Sequence, residues 1–480
     1  MRAARRLVIL GATGDLTGRF LLPALARLME AGQLPDHLQI VGGARSDLND
    51  SGFRQLASEH LQEHAGDVAV EVREAFLERL RYQAIDLADV DDVATIVNGG
   101  DSPVTIYFAL PPSVFATALR TLDEVGLPPS SRIVIEKPFG EDLESARALN
   151  ELTSRITGAA GEHAIFRVDH VLGMPTVHNL LGARLANRVL EPLWNSTHVE
   201  QVDILWDETL ALEGRAGYYD SSGALRDVIQ NHLLQILCLV AMEPPTDLST
   251  DELRARKTEV LRSVRILTPE EAAGQSVRAR YTSGTLAPPP DGTGAQVPAY
   301  VDEPGVDAAR GTETFAELIL ELEHPRWSGT RFVLRAGKAL SRRRKGVILR
   351  FRPVPSLPFD LDAGPPPQNE LRIGLDGPES FTLDLTGCSP GPPAQLTALE
   401  MEASLPANEL PAYSYVLHQV IEGDDSLSIS AEEAELSWQI VTPYLTAWER
   451  QMVPLQDYAA GSSGPADRFE TREQDPPTAP

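Results

Sequence analysis

At 480 residues the chain exceeds the roughly 250–300 residues beyond which single hydrophobic cores stop growing, so two domains are expected. Its 42% hydrophobic and 23% charged residues suffice for an ordinary buried core and exclude a disordered chain. A net charge of −27 repels phosphate backbones and anionic bilayers, which argues against nucleic acid and membrane surfaces as partners and requires local positive groups wherever an anion is bound.

The opening MRAARRLVIL has the basic start of a signal peptide, but its apolar run of four ends before Gly11, short of the ~7–15 residues such a signal needs; Leu7 to Leu10 therefore reads as a strand. From there to about Phe166, short β-rich runs (RLVIL, LQIVGGA, TIYFAL, RIVIEK, HAIFRV) alternate with helical patterns, the signature of a parallel sheet covered by helices. From His198 the pattern becomes polar/apolar alternation in EQVDILW, TFAELILELE, RFVLRAG, GVILRFR, SFTLDLT and TALEMEA, which predicts antiparallel strands with one buried face. A helical stretch is predicted from about Gly217 to Met242. It contains the longest apolar run, LLQILCLVAM, which is interrupted by Gln235 and far short of the ~20 residues of a membrane span. A second helix is predicted at PAYSYVLHQVIEGD, and the Pro/Gly-rich segments GTLAPPPDGTGAQVP, PVPSLPFDLDAGPPPQ and GCSPGPPAQ read as loops between strands. The expected organisation is an α/β domain over residues 1–175, an α+β domain with a large antiparallel sheet and helices over 176–464, and a disordered tail over 465–480. Cys238, in the apolar run, and Cys388, in a Gly/Pro-rich turn, suggest neither a disulfide framework nor a thiolate metal site; they suit a reducing cytoplasm, and no metal is expected.

The segment GATGDLTGR follows the first strand and opens a helix, so Gly11 and Gly14 allow backbone amides to approach a pyrophosphate at a helix N-terminus. Taken alone, Gly-x-x-Gly is equally a tight turn. At the end of the second strand, where NAD-binding folds usually carry an acidic residue for the ribose hydroxyl, the chain has Arg45, which suits a 2′-phosphate and so NADP. Thr13 offers a second phosphate contact.

Four further strings in order, YFALPPSVF, IEKPFG, RVDHVLG and YYDSSGALRDVIQNHLLQ, together with GATGDLTGR make the chain resemble the glucose-6-phosphate dehydrogenase family. ANRVLEPLWN, LEGRAGYY, KTEVLRSV, LRAGKAL, PAY and SWQIVTPYL extend the resemblance over roughly Leu7 to Trp448. It implies a Rossmann-like NADP-binding domain, then a large antiparallel sheet domain through which relatives form homodimers or homotetramers. It further implies oxidation of glucose 6-phosphate at carbon 1 to 6-phosphogluconolactone, in the oxidative pentose phosphate pathway. Such a reaction needs a base for the hydroxyl proton while hydride leaves carbon 1, a task suited to a histidine. The resemblance places the base at His232 and its orienting carboxylate at Asp169. It assigns sugar contacts to Lys137, His170, Glu213, Asp227, Lys338 and Arg343, and cofactor contacts to Gly11, Thr13, Gly14, Asp15, Leu16, Arg45, Pro111 and Lys137. Without the surrounding string, His232 would read as an ordinary buried helix histidine. Asp227 and His232 are five residues apart, about 140° around an α-helix, and share a face only if the helix is distorted.

Three positions depart from the family pattern: Val171 and Met174 stand where relatives have an aromatic residue and a lysine that help hold the sugar phosphate, and Phe20 replaces a lysine after Arg19. The RRRK run from Arg342 to Lys345 offers partial compensation. Two alternatives therefore stay open: the same chemistry on an unphosphorylated or different aldose, and a catalytically silent NADP-binding paralogue.

Overall fold

The computed structural model describes residues 4–469, except 101–102, 213, 215, 287–293, 358–365, 376–379, 390–394, 405–409 and 467. The chain forms two compact units, one of Met1–His178, Pro244–Thr258 and Asn408–Trp438, the other of Asn179–Glu243, Glu259–Ala407 and Gln439–Pro480. No helix among the described residues is long and apolar enough to cross a membrane.

The first unit is built on a parallel sheet of β1 (Arg6–Leu10), β2 (Gln39–Ala44), β3 (Leu80–Ala84), β4 (Val104–Phe108), β5 (Arg132–Glu136) and β6 (Ile165–Val168), in the order β3-β2-β1-β4-β5-β6. This is the Rossmann order, which reverses direction between β1 and β4 and opens a ligand crevice beyond the carboxyl ends of the strands. The central strands RLVIL and VTIYF are wholly buried because helices cover both faces, so they read as continuous apolar runs. The edge strand β3, LRYQA, was not foreseen; its Arg81 and Gln83 break the apolar run, and only Leu80 and Tyr82 are buried.

The helix Ala412–Glu422 belongs to this unit, with Val416, Leu417, Val420 and Ile421 packed into one cluster with Leu21, Leu25 and Phe166. Its neighbouring segments are tied in by charge. Lys257 and Glu433, 2% and 0% exposed, pair at 2.8 Å, and Arg254 meets Asp425 at 3.0 Å.

The second unit contains β7 (Val199–Asp207), β8 (Ser276–Thr282), a small ribbon of β9 (Gly284–Leu286) and β10 (Ala295–Val297), β11 (Phe315–Glu321), β12 (Arg331–Gly337), β13 (Arg344–Phe351), β14 (Glu370–Gly374), β15 (Ser380–Ser389), β16 (Gln395–Ser404) and β17 (Leu455–Ala459). Among the described residues its main sheet runs β16-β15-β14-β13-β7-β12-β11-β8-β17. The expected antiparallel sheet is mixed, since β7–β12 and β8–β17 pair in parallel. Cys388 lies on β15 rather than in the following turn. Buried charges bind the central strands: Asp207 receives Arg335 at 2.6 and 3.1 Å and Arg344 at 3.1 Å, and Arg350 reaches Asp203 at 2.7 Å. Much of the Pro/Gly-rich segments and most of the 465–480 tail lie outside the described residues.

The single helix expected from Gly217 is three segments: an α-helix at Ala216–Ala224, a π-helix at Leu225–Leu233 and an α-helix at Leu234–Ala241. The break falls at Gly223, φ +69°, where a Cβ would stand 2.4 Å from a Glu313 oxygen. Glu313 uses that oxygen to accept the Leu225 amide at 3.0 Å, which starts the π segment.

Candidate functional site

Parallel strands bring all their carboxyl ends to one sheet edge, and in the first unit the candidate residues follow those ends: Gly11 after β1, Arg45 after β2, Pro111 beyond β4, Lys137 after β5 and Asp169 after β6. Gly11 has φ +88°, and a Cβ there would stand 2.1 Å from the Ala109 carbonyl oxygen, so backbone conformation and space both require glycine. Its carbonyl accepts Gly14 N at 2.9 Å and Thr17 Oγ1 at 3.0 Å, which closes the turn before the helical run from Thr17. Asp15 is exposed and pairs with Arg19 at 3.6 Å, while Leu16 packs against the core.

Thr13 Oγ1 lies 3.3 Å from Ser46 Oγ, so the loops after β1 and β2 meet beside the exposed Arg45. Tyr82 on β3 fixes this exit by donating to the carbonyls of Ala44 and Ser46, at 3.1 and 2.7 Å. That support was missed along with its strand. A glycine turn opening a helix, with an exposed arginine and two hydroxyls at the neighbouring loop, fits a dinucleotide carrying a 2′-phosphate.

Lys137 is half-buried and its bond to Pro138 is cis. Asp169 is 1% exposed, and one of its oxygens accepts Val171 N at 3.0 Å, capping the short turn His170–Gly173. The His170 ring stacks on Tyr413 with centroids 5.4 Å apart and 11° between planes, and Phe20 meets Tyr413 from 5.3 Å. Val171 is 0% exposed. Tyr413, from the helix Ala412–Glu422, and Glu136, which accepts the Tyr107 hydroxyl at 2.5 Å, were not singled out from sequence.

In the second unit Asp227 and His232 both lie on the π segment, whose i→i+5 bonding places residues five apart on successive turns of one face. The distortion needed for them to share a face is therefore present. The His232 ring is buried, 5.6 Å from the Trp206 ring, and the Lys345 ammonium covers that indole from 4.1 Å. Lys338 pairs with Glu208 at 2.5 Å and lies 5.3 Å from the Tyr219 ring. Burial pushes the Glu208 carboxyl upward, but the ammonium groups of Lys338 and Lys345 outweigh it and hold the group below its ordinary value. Arg343 is exposed in the turn between β12 and β13. Glu213 lies outside the described residues. Trp206 and Glu208 were missed as neighbours of the candidate residues, their only local signal being an aromatic and an acid at the end of the strand EQVDILWDE, while Lys345, named as the end of the RRRK run, proves to cover the Trp206 indole.

Residues 8–179 match the family model for the glucose-6-phosphate dehydrogenase NAD binding domain, and residues 181–477 match the model for the C-terminal domain of the same enzymes. The chain belongs to the glucose-6-phosphate dehydrogenase family. Among its relatives in this family, the glucose-6-phosphate 1-dehydrogenase of Mycolicibacterium smegmatis is 37% identical and that of Rhizobium meliloti 36%; each alignment covers 98% of this chain and 96% of the relative. A solved glucose-6-phosphate dehydrogenase in complex with glucose 6-phosphate superposes with a TM-score of 0.85 at 29% identity, over 97% of both chains. The glucose-6-phosphate 1-dehydrogenase structure from Mycobacterium avium gives 0.84 at 33% identity, over 97% of this chain and 96% of that one.

Proposed function

We infer that the chain oxidises glucose 6-phosphate at carbon 1 to 6-phosphogluconolactone, the first step of the oxidative pentose phosphate pathway. Membership of the glucose-6-phosphate dehydrogenase family along nearly the whole chain carries this reading. NADP supplies the hydride acceptor, held by the Gly11–Gly14 turn with Asp15, Leu16 and Pro111 nearby and by Arg45 and Thr13 at the 2′-phosphate. His232 takes the hydroxyl proton at its imidazole, and Asp169 orients that ring and stabilises its positive charge. Asp227, Glu213 and Lys137 bind sugar hydroxyls; His170, Lys338 and Arg343 supply the positive side for the phosphate.

With purified protein, NADP reduction is expected to saturate with glucose 6-phosphate at concentrations far below those of glucose. The family's usual aromatic residue and lysine are absent at Val171 and Met174. Losing one to two charged hydrogen bonds, about 1.5–3 kcal/mol each, would raise KM for the phosphate by tenfold or more unless Arg343 compensates. A preference for glucose would instead favour the aldose alternative, which the full burial of Val171 motivates. Tight NADP binding without reduction by any aldose phosphate would favour the silent paralogue.

Arg45→Ala is expected to weaken NADP by roughly 10- to 150-fold while leaving NAD nearly unchanged, because only NADP loses a charge-assisted phosphate contact. Dissociation constants for both nucleotides check this; equal losses would remove Arg45 from the 2′-phosphate. A homodimer or homotetramer assembled through the sheet unit is supported by Leu399 and Met401, 49% and 53% exposed and two residues apart on β16. The cytoplasmic location rests on the sparse cysteine usage noted above.

A further inference from the structure

Glu136, the last residue of β5, stands directly before Lys137, and in the first unit it meets two tyrosines, Tyr107 and Tyr413, that no role above employs. Tyr107 on β4, 0% exposed, donates its hydroxyl to a Glu136 oxygen at 2.5 Å. Tyr413, arriving from the helix Ala412–Glu422, also hydrogen-bonds to this carboxyl, and its ring carries His170 stacked at 5.4 Å. One carboxyl thus links Tyr107 of the sheet to the tyrosine that carries the stacked histidine, within reach of the Lys137 charge.

The geometry points to Glu136 as a positioning residue, whose ionised carboxylate holds the Lys137 ammonium and the Tyr107–Tyr413–His170 array in the arrangement used for turnover. The inference rests on the reading of Lys137 as a sugar contact. Two hydroxyl donors and a neighbouring ammonium favour the ionised form, and each gains from an environment in which water competes little. A neutral carboxyl would keep the shape but remove the negative charge beside Lys137.

The charged and titratable groups acting on Glu136 come from each surrounding element: Tyr107 from β4, Lys137 from its own strand end, Asp169 from the end of β6 and Tyr413 from the returning helix. Burial is the largest influence and raises the carboxyl from its ordinary range to about 7; the Tyr107 hydrogen bond, the Lys137 charge and the Tyr413 hydrogen bond act downward, and Asp169 acts upward. The charge beside Lys137 is therefore lost as pH falls through about 7.

Glu136→Gln imitates the protonated state at every pH. Its kcat/KM for glucose 6-phosphate is expected to lie about tenfold or more below the parent well above pH 7, with the gap closing as the parent is acidified to about pH 6. In infrared difference titration of the unliganded protein, a protonated-carboxyl band should grow in near neutrality in the parent and be smaller in Glu136→Gln by the share of one carboxyl, the remainder coming from Glu317, which burial also raises to about 7. This readout needs no turnover, so it separates failure of the inference from failure of the assigned reaction. Tyr413→Phe, which removes one stabilising donor while keeping the ring, should move the inflection upward. A rate gap that is the same at all pH values, a near-neutral band undiminished in Glu136→Gln, or an inflection unmoved in Tyr413→Phe each overturns the proposal.

Discussion

His232→Asn is expected to lower kcat by at least about 10², equivalent to roughly 2.7 kcal/mol of barrier, with substrate binding much less affected. Asparagine retains a polar side chain of similar reach but has no nitrogen that accepts a proton near neutral pH. The site is already 3% exposed and packed beside Trp206, so water has little access to replace the missing base. Steady-state rates at saturating glucose 6-phosphate and NADP, with KM determined for both, check this. A near-normal kcat would show that another group removes the proton.

Glu433→Ala is expected to destabilise the first unit by about 3–5 kcal/mol, because it removes the buried carboxylate that pairs with the buried Lys257 ammonium at 2.8 Å. Glu433 also begins a helix: its carboxylate accepts from Ser430 N at 3.4 Å and from Ser430 Oγ at 3.0 Å, while Ser430 Oγ accepts Glu433 N at 3.2 Å. This is the reciprocal capping arrangement, and its loss adds to the penalty. The unfolding midpoint should fall by about 6–20 °C, followed by circular dichroism. Removing both charges with Lys257→Met and Glu433→Gln should recover most of the loss, since replacing a buried pair by neutral groups costs far less than orphaning one member. If the double variant is no more stable than Glu433→Ala, the pair is not the source of the effect.

The candidate site was legible wherever chemistry sits on short contiguous strings. GATGDLTGR announced its turn because Gly11 has neither the space nor the backbone conformation for a Cβ. The central strands announced themselves because burial on both faces demands unbroken apolar runs. The edge strand β3 gave no such signal, since half of it faces water, and with it went the Tyr82 hydroxyl that fixes the Arg45 loop. The π segment was equally silent: its trigger, the Glu313 carboxylate bound to Leu225 N, is distant in sequence.

By itself the sequence determined the family, the parallel glycine-loop fold, the presence of the second unit's main strands and which residues are proposed for catalysis, because each depends on local apolar runs or on an ordered motif. The one buried face expected of those strands fails at the sheet centre, where β7, β11 and β12 are buried on both faces. Only the tertiary structure decided that the helix carrying Tyr413 packs into the first unit, that Tyr413 stacks on His170, and that Lys257 meets Glu433. Those pairings join segments well over a hundred residues apart. Their energy comes from shared burial and the pairing of charges in a dry interior, which no run of neighbouring residues records.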